Sequence, residues 1–145
     1  MQAIRIVEIP DCKMVSSGVG MFGDENFDAF HAWFSALPRT HESQEFLFSD
    51  EGRFHWLYIY NDRLNVPERF TLIDFKGGLY AVATDIDGQT DYDALFAAKL
   101  EFLKANGFEE DDSRYKMGNA FTPPKAAAVM GYSQMNYYTP IRVKD

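Results

Sequence analysis

The side chains in this sequence that could do covalent or metal chemistry are few and far apart. His31, His41 and His55 fall in three different local patterns: a helical stretch, a loop and an alternating stretch. No two of them, and none of them with Cys12, stand at the short spacings that bring ligands together on one turn or one loop. A cysteine becomes a nucleophile when a base or a positive neighbour lowers its pKa. Beyond Lys13, Cys12 has neither, so it is expected to be a bystander in a turn. Glu109-Glu110-Asp111-Asp112 is a run of four acids. It lacks the spaced oxygens of a calcium loop and reads as a solvated loop. The glycines around Gly18 and Gly20, and Gly77-Gly78, are turn glycines without the spacing of a phosphate loop. No acid–base pair is evident. No catalytic residue, no metal ligand and no cofactor is therefore expected.

Binding chemistry is better represented. Aromatic residues make up 16% of the chain, as 13 Phe, 8 Tyr and 2 Trp, which is more ring surface than a small core needs. Phe54, Trp56, Tyr58 and Tyr60 alternate, so they share one face of a strand. That face either packs under a helix or lines a groove. Trp56, Tyr58 and Tyr60 are taken as groove candidates because Tyr and Trp rings pair an apolar body with a polar tip.

These residues must be held by short strands and two main helices. A helix is predicted from about Asp91 to Asn106, capped by Thr90 or Asp91 and stopped at Gly107. Its stripe is Tyr92, Leu95, Phe96, Lys99, Leu100 and Leu103. A second runs from about Glu25 to Leu37, with Asp24 as cap and Pro38 as stop. Strands are predicted at 4–9, 13–17, 46–48, 54–60, 70–75, 79–85, 115–117 and 135–143. The first two are read as flanking one turn, at Pro10-Asp11, and Phe70–Phe75 with Leu79–Asp85 as flanking another, at Gly77-Gly78. Pro140 places the last strand at an edge or a bulge.

Composition excludes several classes. The chain has 145 residues, 14 basic and 22 acidic, for a net charge of −8. Nucleic-acid binding needs a basic stripe to displace counterions, and the densest basic stretch is only Arg142 and Lys144. No apolar run approaches the ~20 residues of a membrane span, and the N-terminus lacks a signal-peptide pattern. One cysteine makes no internal disulfide. A cytoplasmic location is expected, with no membrane and no direct nucleic-acid partner.

An offset of about 66 residues aligns the two halves. Ile6-Val7-Glu8-Ile9 then faces Leu72-Ile73-Asp74-Phe75, and Phe30, Phe34 and Leu37 face Phe96, Leu100 and Leu103. The pattern is read as a tandem duplication of a strand–helix–strand–strand module. The modules are about 1–64 and 68–145, joined near Asn65-Val66-Pro67, in one α+β domain with antiparallel sheets and an inter-module groove.

Several segments carry a family likeness. Tyr58-Ile-Tyr-Asn-Asp62, Phe75-Lys-Gly-Gly-Leu-Tyr-Ala-Val82, the helix Tyr92–Asn106 followed by Gly107-Phe108, and Asn136-Tyr-Tyr-Thr-Pro-Ile141 occur in order. Together they resemble the GyrI-like small-molecule-binding domain, the effector-binding domain of AraC- and MerR-type regulators. The resemblance implies two pseudo-twofold modules with a ligand groove between them, and recognition of small hydrophobic, often cationic molecules. It adds Tyr115, Lys116, Asn136 and Tyr138 to the ligand-binding candidates. Relatives carry a buried Glu where this chain has Tyr115 or Lys116, and an acid where it has Asn136. The implied cation preference is therefore expected to be weak, because a buried carboxylate is what offsets the desolvation of a cation. The expected function is a small-molecule-binding protein, not an enzyme, taking a small hydrophobic or aromatic ligand. The strands run nearly to both ends of the sequence, so no helix-turn-helix is expected in it. The alternatives are a protein-binding modulator of the topoisomerase-inhibitor kind, whose partner is a protein, and a small hydrolase.

Overall fold

Among the described residues, 3–145, the computed structural model has the order β1 (Arg5–Ile9), β2 (Cys12–Gly20), α1 (Glu25–Ser35), β3 (Glu45–Asp50), β4 (Arg53–Ile59), β5 (Thr71–Phe75), β6 (Gly78–Ile86), α2 (Tyr92–Asn106), β7 (Phe108–Glu110), β8 (Met117–Ala120), α3 (Pro124–Met130) and β9 (Gln134–Val143). The fold class is α+β with antiparallel strands, as the sequence predicts. The chain divides into a mid-chain unit, Asp11–Gly77, and a split unit, Met1–Pro10 with Gly78–Asp145.

Local sequence explains the helix ends. Asp91 accepts the Ala94 N–H at 3.0 Å, and Gly107, at φ 81°, closes α2 by donating its N–H to the Leu103 carbonyl. Asp24 stands at the cap of α1, but its carboxylate takes the Met21 N–H at 2.9 Å rather than a first-turn amide. The predicted stripe of α2 is narrower than expected: Leu95, Lys99 and Leu103 are buried, whereas Tyr92 and Leu100 are exposed.

The mid-chain unit has the strand order β5-β2-β4-β3, and the split unit has β1-β6-β9-β8, with β7 also on β9. The two predicted hairpins do not form. β1 pairs with β6, and β5 pairs with β2. The boundary expected near residues 65–67 accordingly gives way to breaks at Pro10/Asp11 and Gly77/Gly78. Two-residue hairpin loops need positive φ at one or both positions. Pro10, Asp11, Lys76 and Gly77 are all absent from the positive-φ residues, so both connections carry the chain onward. Gly77 N–H donates to Asp11 Oδ1 at 2.8 Å, tying together the two ends of the mid-chain unit.

The registers carry the duplication. Arg5 pairs with Val82, and Thr71 pairs with Ser16. One pair maps onto the other by the 66-residue spacing that also separates Asp11 from Gly77. Through the shared neighbours, Ser16↔Leu57↔Phe46 corresponds to Val82↔Tyr138↔Met117. By the same ladders His55 and Phe48 correspond to Asn136 and Asn119.

Three further expectations are corrected. β9 is central, paired on both sides, despite Pro140. The Pro140 carbonyl accepts from Asp111 N–H at 2.9 Å, away from β6. Its missing donor thus falls where β9 changes partner from β8 to β7, and no β6–β9 bond is lost. The strand expected at 115–117 begins at Met117, leaving Tyr115 and Lys116 ahead of it. The acidic run is partly strand, and three of its acids take cations: Glu109 with Arg142 at 3.1 Å, Glu110 with Lys116 at 3.2 Å, and Asp111 with Arg114 at 3.1 Å.

Candidate functional site

Strand alternation gives each sheet two faces. In the mid-chain unit, Val15, Tyr58 and Phe70 form a core with Phe30 of α1. Trp56 is ringed by Phe22, Phe27, Phe30, His31 and Phe34 at centroid distances of 5.2–6.2 Å. Tyr58 stacks on Phe34 and meets Trp33 edge-on, and Tyr60 packs beside the same cluster. The alternating face of Trp56, Tyr58 and Tyr60 is thus the face under α1. Tyr58 belongs to the buried core there, and Trp56 and Tyr60, both half-buried, pack against it, so much of the aromatic surplus of the composition goes into this cluster.

The opposite face of that unit is mainly apolar: Met14, Leu57, Phe46 and Phe48 are buried there. Its polar exception went unnoticed in the sequence. The Ser16 hydroxyl and His55 Nε2 share a hydrogen bond, and His55 stacks on Phe48 at 4.9 Å. Burial lowers the His55 pKa, partly countered by the Asp50 charge. Ser16 Oγ also accepts the Gly18 N–H at 3.1 Å, at a β-bulge where Gly18 takes φ 76°. Nothing in the spacing of Ser16 and His55 announces this pair; it depends on strand register.

In the split unit, Ala81, Leu103 and Ile141 form the core beneath α2. Lys99 of α2 is only 3% exposed, and its Nζ donates to the Tyr137 carbonyl at 2.8 Å and to Thr139 Oγ1 at 3.1 Å. Desolvation brings its pKa down to about 8, with the nearby Lys116 charge acting in the same direction. Lys116 lies 4.0 Å over the ring of Phe96, which belongs to α2. Tyr115 is about half exposed.

Asn136 and Tyr138 point to the face opposite α2, where side chains form a continuous polar chain. Arg5 Nη2 donates to Thr84 Oγ1 and to Asn136 Oδ1, both at 3.1 Å. Thr84 Oγ1 donates to Asn136 Oδ1 at 2.7 Å. Asn136 Nδ2 donates to Asn119 Oδ1 at 3.1 Å, and Asn119 Nδ2 to the Tyr138 hydroxyl at 3.3 Å. Asn119 and Asn136 are 3% and 7% exposed. Tyr138 meets the buried Tyr80 edge-on at 6.1 Å. Of the seven residues singled out in the sequence, the structure brings Asn136 and Tyr138 together here. Trp56, Tyr58 and Tyr60 lie under α1, while Lys116 reaches Phe96 of α2 and Tyr115 precedes β8. Asn119, Thr84 and Arg5 were missed, because single Asn, Thr and Arg residues in strands carry no pattern of their own.

Among the described residues no three His, Cys, Asp or Glu side chains gather into a metal-binding group, and no helix is long and apolar enough to cross a membrane. Burial, and then the Asp11 charge, raise the Cys12 thiol pKa, the reverse of what a nucleophile needs.

Known structures share this fold. The chain superposes on the C-terminal domain of EcmrR with a TM-score of 0.64 at 9% identity, covering 99% of each chain. Against EcmrR in its DNA complex it spans 58% of that chain. An uncharacterized conserved protein from Listeria innocua matches with a TM-score of 0.66 at 12% identity, over 96% of this chain and 92% of that one. A hydrolase from the same organism matches with a TM-score of 0.66 at 12% identity, over 96% and 91%. No family model and no curated protein matches the sequence. Likeness at such identities is a likeness of fold, and that fold agrees with the α+β architecture the GyrI-like resemblance implies.

Proposed function

We propose that this chain is a small-molecule-binding domain of the effector-binding kind, and that its ligand contacts the face of the split unit opposite α2. The observation that carries this reading is the polar chain from Arg5 to Tyr138. Buried amides cost free energy unless they are hydrogen-bonded. A purely structural sheet face would more simply be apolar, as most of the corresponding face of the mid-chain unit is. Here two buried amides and a phenol are aligned by one another beside two tyrosine rings. The two amides are buried and bonded, so they hold in place the less buried members of the network, Arg5, Thr84 and Tyr138. Those groups are what a planar molecule would meet, with the Tyr138 ring supplying apolar area worth about 25 cal/mol per Å². The fold likeness to the EcmrR C-terminal domain is compatible with this reading.

An enzymatic role is not proposed. The Ser16–His55 pair has the atoms of a nucleophile and a base. Its serine, however, is 3% exposed and already accepts a backbone N–H, so it serves to hold the bulge in β2.

The test is a nitrogen-15 NMR titration with 2-naphthamide, a neutral planar probe. The side-chain NH₂ signals of Asn119 and Asn136 should shift, and Asn136→Ala should weaken binding about fivefold, the loss of roughly one hydrogen bond. Shifts confined to the mid-chain unit, or unchanged affinity in the variant, would overturn the reading.

A further inference from the structure

Arg114 is the most heavily engaged cation of the split unit, and its bonding is incomplete. Its side chain is 8% exposed. Nε pairs with Asp111 Oδ2 at 3.1 Å, and Nη2 donates to the carbonyls of Leu79 at 3.0 Å and Ile141 at 2.9 Å. Nη1 is buried and has no acceptor among the described residues. The guanidinium lies against Gly78, where an added Cβ would stand 2.7–2.9 Å from Nη1, the central carbon and Nη2. It also sits 4.7 Å from the centroid of the Tyr80 ring. Gly78 and Tyr80 alternate onto the same face as Val82 and Thr84, so Arg114 occupies the face that carries the polar chain.

We propose, resting on the small-molecule reading above, that the ligand is an anion: a planar molecule bearing a carboxylate whose oxygen accepts from Arg114 Nη1. An N–H of a cation buried without an acceptor is costly, and a carboxylate makes the strong, charge-assisted form of the missing bond. The other guanidinium nitrogens are already held by Asp111, Leu79 and Ile141, so Nη1 is aimed before any ligand arrives, as the rigid fork of arginine allows. The Asp111 carboxyl that neutralises the group is committed: its pKa is held at about 2, first by the Ser113 hydroxyl and amide and then by Arg114. The charges on the rest of the face agree. In β1, β6, β8 and β9 no position on it is an Asp or Glu, Arg5 stands at the far end of the polar chain, and Glu109 of β7 is engaged by Arg142. Such a surface disfavours cations and favours anions.

Three matched probes test this by calorimetry and by NMR on the full chain: 2-naphthoate, neutral 2-naphthamide and 2-naphthylmethylammonium. The expected order is naphthoate tightest, about tenfold ahead of the ammonium compound, as one charge-assisted bond allows. Arg114→Met should bring naphthoate down to the level of the amide while moving the amide less than about twofold. In the unsubstituted protein the Arg114 Nε signal should shift with naphthoate and not with naphthamide, a readout that holds even if the variant fails to fold. If the amide binds but naphthoate binds no tighter, or the Arg114 signal is silent, Nη1 is satisfied by solvent alone and this inference fails while the binding reading stands. If none of the three moves the Asn119 and Asn136 signals, the binding reading fails and takes the inference with it.

Discussion

The two units of this protein share a strand order and a register, yet put different side chains at corresponding positions. Where the split unit has Asn136 bonded to Asn119, the mid-chain unit has His55 stacked on Phe48. Leu57 stands where the split unit has Tyr138, and Thr71 where it has Arg5. The helix-covered faces differ in the opposite sense. Beneath α1 lies a dense cluster of Phe, Trp and Tyr, whereas the core beneath α2 is centred on Ala81, Leu103 and Ile141, and Lys99 is buried there on the Tyr137 carbonyl and the Thr139 hydroxyl. At the 66-residue offset Lys99 stands opposite Trp33 of α1. Duplication thus supplied two equal scaffolds. One packs its rings beneath its helix; the other carries a polar network on the face opposite its helix.

The comparison can be broken first at the aromatic cluster. Phe30 is fully buried and touches Trp33, Phe34, Trp56 and Phe70. Phe30→Ala should cost about 3–5 kcal/mol in urea unfolding. A loss below 1 kcal/mol would mean that the rings under α1 are not the main support of the mid-chain unit.

A second effect belongs to Lys99. Its folded pKa is about 8, below the ordinary lysine value of 10.5, so the unfolded chain holds the extra proton between those pH values. Stability should therefore rise with pH through that window, by on the order of 2–3 kcal/mol, and be flat in this respect below pH 8. Lys99→Met should abolish the slope at little net cost, since a buried charge is exchanged for apolar volume. Parallel pH profiles in the two proteins would remove Lys99 from the account.

Smaller effects separate the two faces opposite the helices. Asn136→Leu leaves Asn119 and Thr84 short of partners and should cost about 1–3 kcal/mol. His55→Leu, in apolar surroundings, should cost less. It should also remove an acid sensitivity: burial lowers the His55 pKa, so the unfolded chain takes up the proton first and stability falls as pH drops below about 6.5. Equal costs for the two variants, measured at pH 7 by thermal unfolding, would show that the polar chain is no more organised than the Ser16–His55 pair.

Much of the scaffold was readable because its signals are local. Asp91 and Gly107 mark the ends of α2 through a side-chain acceptor and a left-handed backbone, both properties of single residues. The alternation from Phe54 to Tyr60 marks a strand face, though not what covers it. Alternation is the same whether a helix or a ligand lies above it, so the sequence left both readings of Trp56 and Tyr58 open. The turns at Pro10-Asp11 and Gly77-Gly78 look like hairpin loops by composition, and only the strand pairing, β1 with β6 and β5 with β2, reveals that the chain passes through them.

What the sequence alone determined is the two main helices and most of the strands, the repeat that relates them and the absence of a basic stripe, since each depends on residue type and spacing along the chain; β7 and α3 escaped it. Only the tertiary structure decided which strands pair, and with that which polar side chains meet. Arg5, Thr84, Asn119, Asn136 and Tyr138 come from four strands spread over most of the chain. They form one network because β1 lies beside β6 and β9 beside β8. Arg114 acquires its unpaired donor in the same way, from carbonyls at Leu79 and Ile141 that pairing between β6 and β9 sets side by side. Partner choice is a cooperative outcome of the whole chain, and single-residue signals do not encode it.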